Sequence, residues 1–219
     1  MIELYADPIT VNCKKVLASF KLMNIPYTLK HVDFFKGEQK SEAYMKINPN
    51  AALPAMKDGD FTLWESNSIM QYAADKHGKS KFYPTDLVLR ADVNRWLNWE
   101  GSHWFPSCYV FLFENCVKPL IGSAPDQSIL NAQLDNWNKL ASILDTRLAG
   151  KDWLVGNAVT LADIACASAM HLRGWQQLPI ENHKNLTRWM TQNVEKLPAW
   201  QETMVYEGFT TKKAALVDY

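Results

Sequence analysis

The chain has 219 residues, of which 47% are hydrophobic and 21% charged, and its 23 basic side chains balance its 23 acidic ones. This length suits one large or two modest domains of an ordinary globular protein. A formal net charge of +0 argues against nucleic acid or an anionic membrane as the main partner, because both attract proteins through an excess of basic residues. The sequence contains neither a secretory signal pattern nor an apolar run long enough to cross a bilayer, and we expect the protein in the cytoplasm.

Four cysteines, Cys13, Cys108, Cys116 and Cys166, are scattered along the chain. None forms a C-x-x-C pair, and no close cluster of cysteine and histidine has the spacing of a zinc site. We therefore expect no metal and reduced thiols, with Cys108, Cys116 and Cys166 as packing residues.

The first third of the chain predicts a βαβ unit. Alternation in residues 2–6 indicates a strand, apolar spacing in residues 13–24 indicates a helix that Pro26 ends, and residues 27–33 alternate again. Strand, helix and strand with short connections form a right-handed crossover between parallel strands. A polar loop and a short helical turn follow, at residues 34–42 and 43–47.

The stretch from residue 48 to 74 predicts a hairpin that leads into a helix. Two apolar runs, 53–56 and 61–64, flank an Asp-Gly pair, which is a hairpin signal. Ser66 is the expected N-cap of the helix that follows. The free N–H groups and the positive dipole end of that helix suit a carboxylate.

Pro54 stands where the first hairpin strand should begin, and proline, which lacks an N–H, is confined to strand starts and edges. If the bond before it is cis, the main chain of Leu53 turns outward and can pair with an extended peptide. The stretch thus offers a backbone edge beside an anion site, a combination that suits a small anionic peptide.

Hydrophobic spacing becomes helical after a short connection at residues 82–85, where we place the domain boundary. The first helical segment, 87–115, contains Pro106 and is expected to kink there. Further helices are predicted at residues 126–149, 182–195 and 198–206.

Thr160 and Asp163 form an S/T-x-x-D capping box at the start of another apolar helix. Val159 and Ile164 have the spacing of a hydrophobic staple around that box. We therefore expect Asp163 to be structural and not catalytic.

Asn48-Pro49, then Leu53-Pro54, then Glu65-Ser66 followed by Ile69 resemble the glutathione-binding half of the glutathione S-transferases. The resemblance covers nearly the whole chain. It implies an α/β thioredoxin-like N-terminal domain at residues 1–78, a linker at 79–86, and an all-α helical C-terminal domain at 87–219 that carries the second-substrate pocket. It also implies glutathione as cosubstrate, a small apolar electrophile as second substrate and a homodimer.

The loop before the first helix is where the resemblance implies the chemistry. Residues 10–16 are similar to the Ser-x-x-Cys-x-x-Val pattern of serine-type transferases, with Thr10 in the place of the catalytic serine. Some bacterial members have a threonine and an asparagine at the positions of Thr10 and Asn12 and are associated with disulfide reduction, so Asn12 is a second catalytic candidate. Cys13 is a rival as a reactive thiol at a helix start, although the pattern also fits a packing residue. Tyr5 is a weaker alternative, because it falls inside the predicted strand.

The resemblance also implies where glutathione is held. Glu65 takes the ammonium and Ser66 the carboxylate of the γ-glutamyl end. Leu53, before Pro54, pairs through its main chain with the cysteinyl part.

The glycyl end has a less complete match. Gln39 stands where some relatives have a carboxylate-binding histidine, and Gln39 or Lys40 is the candidate donor, with a solvated loop as the alternative. A second family histidine, three residues before Pro54, is Ala51 here, which weakens the expected clamp.

Aromatic residues crowd the first helical segment, where the family lines its second-substrate pocket. His103, Trp104 and Tyr109 are the candidates on this wall, and Trp175 is the candidate on the opposite one. Aromatics at helical spacing are also typical of a core, and that alternative stays open.

The resemblance implies a glutathione transferase that activates the thiol of glutathione for attack on apolar electrophiles. Two alternatives stay open: a glutathione-dependent disulfide reductase or peroxidase, and a non-catalytic glutathione-binding or scaffold protein. The presence of both Glu65 and Ser66 favours an enzyme.

Overall fold

The computed structural model describes residues 1–204, which fall into two compact units. Unit 1 contains Met1–Tyr83 and the segment that begins at Pro198, and unit 2 contains Pro84–Leu197. The parts of the predicted last helix and of the predicted helical domain beyond residue 204 lie outside the described residues.

Unit 1 is a four-stranded mixed sheet with helices. Its strands are β1 (Ile2–Ala6), β2 (Tyr27–His31), β3 (Ala55–Asp58) and β4 (Phe61–Trp64), and its helices are α1 (Val11–Leu22), α2 (Glu42–Met45), α3 (Ser66–Lys76) and α11 (Pro198–Gln201). The strand order is β2-β1-β3-β4, with β1 parallel to β2 and antiparallel to β3. The βαβ unit and the hairpin are thus confirmed, as is the thioredoxin-like arrangement.

The β3–β4 hairpin closes through Gly59 and Asp60, where Gly59 has a φ of 61°. Glycine adopts this left-handed conformation without the steric cost that a Cβ brings, which explains the tight turn. Strand β3 begins at Ala55, one residue after the predicted start at Pro54, because Leu53-Pro54 precedes the ladder instead of opening it.

The core of unit 1 fixes the start of α1 relative to the start of α3. Both helices pack against each other, and α1 also contacts α11. Consequently α1 is buried along most of its length, and its buried residues include two lysines, Lys14 and Lys15. Fully buried apolar side chains of this core are Leu4, Val16, Phe20, Met56, Ile69 and Met70.

Unit 2 is helical. Its helices are α4 (Leu87–Trp99), α5 (Phe105–Leu112), α6 (Lys118–Leu120), α7 (Gln127–Arg147), α8 (Leu161–Ser168), α9 (Arg173–Gln176) and α10 (Lys184–Arg188). A π-helical turn at Glu100–Trp104 joins α4 to α5 immediately before Pro106. Proline removes one helical donor, so the irregularity falls beside the predicted kink.

The capping box predicted at the start of α8 is confirmed. One oxygen of Asp163 accepts from the Thr160 N–H at 2.9 Å and the Thr160 hydroxyl at 3.0 Å. Its other oxygen accepts from the Leu154 N–H at 2.8 Å and from Trp189 Nε1 at 3.2 Å. The carboxylate therefore links a loop and two helical segments inside unit 2. Within residues 1–204 no helix is both long and apolar enough to cross a membrane.

Candidate active site

The N-terminus of α1 holds the first catalytic candidate. Thr10 is the N-cap residue of α1, with an extended backbone, and its hydroxyl donates to the Asp7 carbonyl at 3.2 Å. Asp7 is itself buried and fixes the loop, because its carboxylate accepts from the N–H groups of Ile9 at 3.2 Å and Phe34 at 2.9 Å. The first-turn N–H groups of α1 have no partners within the helix, so this end can stabilise an anion.

Asn12 and Ser66 meet although they are 54 residues apart. The Ser66 hydroxyl donates a long hydrogen bond of 3.5 Å to Asn12 Oδ1. The ammonium of Lys15, one turn into α1, donates to the Ser66 hydroxyl at 3.2 Å. The structure thus brings a predicted catalytic residue and a predicted carboxylate-binding residue into one polar cluster at two helix starts.

The start of α3 differs in one respect from the prediction. Ser66 as N-cap was wrong: Glu65 is the N-cap residue and Ser66 is the first helical residue. Glu65 has a φ of 72°, a conformation that side-chain-bearing residues rarely adopt and that costs about 1–3 kcal/mol. Such outliers cluster at functional sites. The side chain of Glu65 is exposed, whereas Ser66 is buried and no acidic residue follows in the first turn.

The main chain around Leu53 is held in place from behind. The Tyr44 hydroxyl and the Asn48 side-chain amide both donate to the Ala52 carbonyl, each at 2.7 Å. The Leu53-Pro54 peptide bond is cis. Within the described chain, the N–H and C=O of Leu53 take part in none of the turn, loop or cap hydrogen bonds between backbone groups.

Gln39 and Lys40 lie on a short 3₁₀ turn, Glu38–Lys40, but they differ in exposure. Lys40 is exposed, whereas Gln39 is buried and its Oε1 has no hydrogen-bond partner among the described residues. The Asp33 N–H anchors the turn by donating to the Glu38 carboxylate at 2.8 Å. A buried amide with an unused polar atom costs about 1–3 kcal/mol, so Gln39 is a better candidate for a ligand contact than a solvated loop residue.

The two rival residues of unit 1 have other roles. Cys13 is fully buried, and this burial raises the pKa of its thiol to about 12, so the thiol stays protonated and inaccessible. Tyr5 donates its hydroxyl to the Glu3 carboxylate at 3.1 Å, and burial together with this bond raises its pKa.

The candidates for the second-substrate pocket lie on helical segments of unit 2. His103 is exposed, with its Nδ1 2.6 Å from the Ser102 hydroxyl. Tyr109, on α5, is also exposed, whereas Trp175, on α9, is partly buried. Gln176 docks α9 on α5, because its side-chain amide donates to the Cys108 carbonyl at 3.4 Å.

Trp104 needs a correction, since the structure makes it a core residue. Its side chain is fully buried, and its ring stacks on Trp99 and packs against Trp137 at centroid distances of 5.9 and 5.5 Å. Its indole N–H donates to the Cys166 carbonyl at 2.9 Å. All its surfaces are therefore used inside unit 2, and it cannot line an open pocket.

Sequence reasoning missed Lys15 as part of this cluster. The available signal was the Lys14-Lys15 pair between Cys13 and Val16, in a helix whose neighbours are apolar. Lysine is almost never fully buried without a partner, so a pair of them in a buried helix points to buried polar partners. Among the described residues, no group of three or more His, Cys, Asp or Glu side chains is arranged to hold a metal ion.

Two family models match this chain: the glutathione S-transferase N-terminal domain over residues 11–76, and the glutathione S-transferase C-terminal domain over residues 108–198. Glutathione S-transferase theta-1 of Mus musculus is 35% identical over 193 residues, which cover 86% of this chain and 80% of that protein. Among solved structures, the apo form of human glutathione S-transferase T1-1 has a TM-score of 0.85 at 31% identity, covering 93% of this chain and 87% of that one. The theta class enzyme from the citrus canker pathogen Xanthomonas axonopodis pv. citri, solved with glutathione bound, has a TM-score of 0.83 at 26% identity, covering 94% and 97%.

The chain therefore belongs to the glutathione S-transferase family. The predicted fold class, an α/β thioredoxin-like domain followed by a helical domain, is confirmed, and so is the predicted class of enzyme, a glutathione transferase.

Proposed function

We propose that the enzyme binds glutathione at the starts of α1 and α3 and uses its thiolate to attack a small apolar electrophile. Thr10 and Asn12 hold the thiolate. Glu65 and Ser66 hold the γ-glutamyl ammonium and carboxylate, and Leu53, before Pro54, pairs with the cysteinyl backbone.

The glycyl carboxylate takes its donors from Gln39 or Lys40. The buried, partly unpartnered amide of Gln39 favours the first, because its amide can rotate to present its NH₂ to an acceptor. His103, Tyr109 and Trp175 remain our candidates for contact with the second substrate. Tyr109 supports a flat apolar substrate best, since its exposed ring continues a row of tilted aromatic rings with Phe105 and Phe113.

The observation that carries this proposal is the 3.5 Å contact between Ser66 and Asn12. It joins two helix N-termini in one cluster, and each has a positive dipole end and first-turn N–H groups that lack partners within the helix. The γ-glutamyl carboxylate at Ser66 and the thiolate near Asn12 are then two of the three anionic groups that one glutathione molecule can supply.

The energetic demand on the thiol site is modest. A free cysteine thiol has a pKa of about 8.5, and lowering it by one unit requires about 1.4 kcal/mol of preferential binding to the thiolate. One charge-assisted hydrogen bond contributes about 1.5–3 kcal/mol. A single donor from Thr10 or Asn12 therefore lowers the pKa of the thiol by about one to two units, which brings it close to neutral pH.

The test is a titration of bound glutathione, followed through the ultraviolet absorbance of the thiolate. Thr10→Val keeps the shape of the side chain but removes its hydroxyl donor. We expect Thr10→Val and Asn12→Ala each to raise the pKa of the bound thiol and to lower kcat/KM at least about 10-fold near pH 7. Thr10→Ser should restore both values. Thr28→Val, at an exposed threonine of β2, is the matched control and should change neither. A bound thiol that titrates like free glutathione in the wild type would contradict the proposal.

A disulfide reductase is the second candidate, and the presence of both Thr10 and Asn12 in the sequence favours it. The glutathione thiolate would attack one sulfur of a disulfide and release the other as a thiolate, forming a mixed disulfide. Activity that survives Cys13→Ala and is lost in Asn12→Ala would support this reaction. Faster turnover of an aromatic electrophile than of any disulfide would favour the transferase reaction.

We also propose a homodimer in the cytoplasm. Strand β4 is an edge of the sheet, and its Phe61 is 47% exposed. Leu87, at the start of α4, is 82% exposed. Exposed apolar side chains of this kind support an interface with a second copy. The four cysteines are buried and none is part of a disulfide among the described residues, which supports a reducing compartment.

A further inference from the structure

Lys15 is a buried cation at the proposed glutathione site. Its side chain lies in α1, only 2% of the residue is exposed, and its ammonium donates to the Ser66 hydroxyl at 3.2 Å. Removing an ammonium from water is costly, so a lysine in such a place has to find polar partners. The Ser66 hydroxyl is one of them, and it belongs to the proposed site.

The chemistry of the two groups fixes the direction of the Ser66 proton. An ammonium has three donors and no acceptor, whereas a hydroxyl has one proton and two lone pairs. Facing Lys15, the Ser66 oxygen can only accept, so its own proton points away from α1's lysine. In the structure the Ser66 hydroxyl donates this proton to Asn12 Oδ1, and the bond is weak because the two oxygens are 3.5 Å apart.

A carboxylate at the start of α3 would be a much better acceptor for this proton. Ser66 is the first residue of an eleven-residue helix, so its own N–H lacks a helical partner and faces the same end. Hydroxyl, N–H and the positive charge behind them would then act on one anion.

We propose that Lys15 is a positioning residue for the γ-glutamyl carboxylate of glutathione: it directs the Ser66 proton towards that carboxylate and places a positive charge behind it. The inference rests on the proposed function, because it assumes that this carboxylate binds at Ser66. It gives α1 a second role besides binding the thiol, since one helix then acts on both the thiolate and the γ-glutamyl carboxylate of the ligand.

The adjacent residue provides a matched control. Lys14 lies in the same helix and has no exposed surface, yet its ammonium donates to the Trp200 carbonyl and the Thr203 hydroxyl, each at 2.7 Å. It also lies 4.4 Å from the centre of the Trp200 ring. Both lysines are buried in α1, but of the two only Lys15 donates to Ser66.

The experiment compares two ligands by titration calorimetry: glutathione, and butyryl-cysteinyl-glycine, which lacks only the carboxylate and the ammonium of the γ-glutamyl end. A third ligand, in which that carboxylate alone is an amide, separates the two groups. We expect Lys15→Met to weaken glutathione at least about 10-fold and to leave both analogues within about 2-fold of their wild-type affinities. Lys15→Arg should recover most of the loss, and Lys14→Met should leave all three affinities within about 2-fold.

Kinetics supply a second readout that a merely structural role would not move. The carboxylate is remote from the sulfur, so Lys15→Met should raise the KM for glutathione and leave kcat and the pKa of the bound thiol unchanged. If Lys15→Met does not fold, Lys15→Gln takes its place, since it keeps a neutral donor. We expect Lys15→Gln to lose less affinity than Lys15→Met, and to lose it for glutathione but not for the two analogues.

The outcomes separate the two hypotheses. A wild-type enzyme that binds glutathione and the amide analogue equally well would overturn the carboxylate site, and the inference with it. A wild-type enzyme that prefers glutathione, with a Lys15 variant that loses all three ligands alike or loses none, would overturn the role of Lys15 alone.

Discussion

Replacing Asp163 by alanine would remove the acceptor on which four buried donors converge. The donors are the Leu154 N–H, the Thr160 N–H and hydroxyl, and the Trp189 indole, at 2.8 to 3.2 Å. Asp163 itself has no exposed surface. Water therefore cannot replace the lost carboxylate unless the surrounding chain opens.

The expected cost follows from this count of donors. A buried donor left without a partner costs about 1–3 kcal/mol, so four of them predict a loss of at least about 4 kcal/mol. Asp163→Asn keeps one of the two oxygens, so it should lower the free energy of unfolding by about half as much as Asp163→Ala. Such losses are large against the usual 5–15 kcal/mol of a folded domain, and we expect unit 2 to unfold at a clearly lower urea concentration.

The assay is urea unfolding at about pH 8, where the carboxylate is ionised, because burial raises the pKa of Asp163 to about 6 only. Tryptophan fluorescence reports on the transition directly, since Trp189 contacts the carboxylate. Asp152→Ala is the control: that side chain is 76% exposed and pairs with Arg188 at 3.2 Å, so its loss should change stability by less than about 0.5 kcal/mol. An Asp163→Ala variant that loses less than about 1.5 kcal/mol would refute the reasoning.

Three further predictions follow from unit 1. Burial lowers the pKa of Lys14 to about 7, so the unfolded chain binds this proton more tightly than the folded chain, and the free energy of unfolding should rise from pH 7 to 9. Lys14→Met should reduce the slope of that rise by up to about 1.4 kcal/mol per pH unit. Urea unfolding at several pH values measures this slope, and equal slopes for the wild type and the variant would contradict the prediction. The buried thiol of Cys13, with its raised pKa, should resist alkylation in the folded enzyme and react after urea unfolding, as mass spectrometry would record. Phe61→Lys should raise the dissociation constant of the dimer at least about 10-fold in sedimentation velocity, whereas Phe35→Lys, at an exposed loop residue, should not; equal effects would speak against β4 as the interface.

Local patterns predicted the strands of unit 1 and the start of α8 in unit 2 well, because these features depend on nearby residues. Strands β1 and β4 have the predicted bounds, and the capping box of α8 has the predicted partners. The exception was the start of α3. Helix propensity favoured Ser66 as N-cap, but the chain places Glu65 there with a positive φ, which no local preference of glutamate predicts.

The aromatic face of unit 2 could not be assigned from spacing. The π-helical turn at Glu100–Trp104 puts more residues into one turn than an α-helix does, so the side that each residue faces shifts after it. Trp104 lies inside this turn, and its ring is buried in the core and stacks on Trp99. Only the backbone geometry reveals this shift.

The proposed glutathione site shows the same division between local and tertiary information. The resemblance named Asn12 and Ser66 separately, and their contact arises from packing across 54 residues. The resemblance did not include Lys15, for which the pair of adjacent lysines in an apolar helix was the available signal. Its role becomes visible only once the neighbouring helix supplies a hydroxyl.

The distance between Asn12 and Ser66 is set by the core of unit 1 and not by a loop. Both residues stand at the first turns of helices whose buried side chains, Phe20 on α1 and Ile69 on α3, belong to one interior. The Ser19 hydroxyl adds a direct link by donating to the Met70 sulfur at 2.8 Å. Because close-packed interiors transmit small shifts instead of absorbing them, a substitution that loosens α1 against α3 changes the spacing of the two anion sites. Stability of unit 1 and affinity for glutathione are therefore expected to vary together along this interface, as properties of one packed pair of helices.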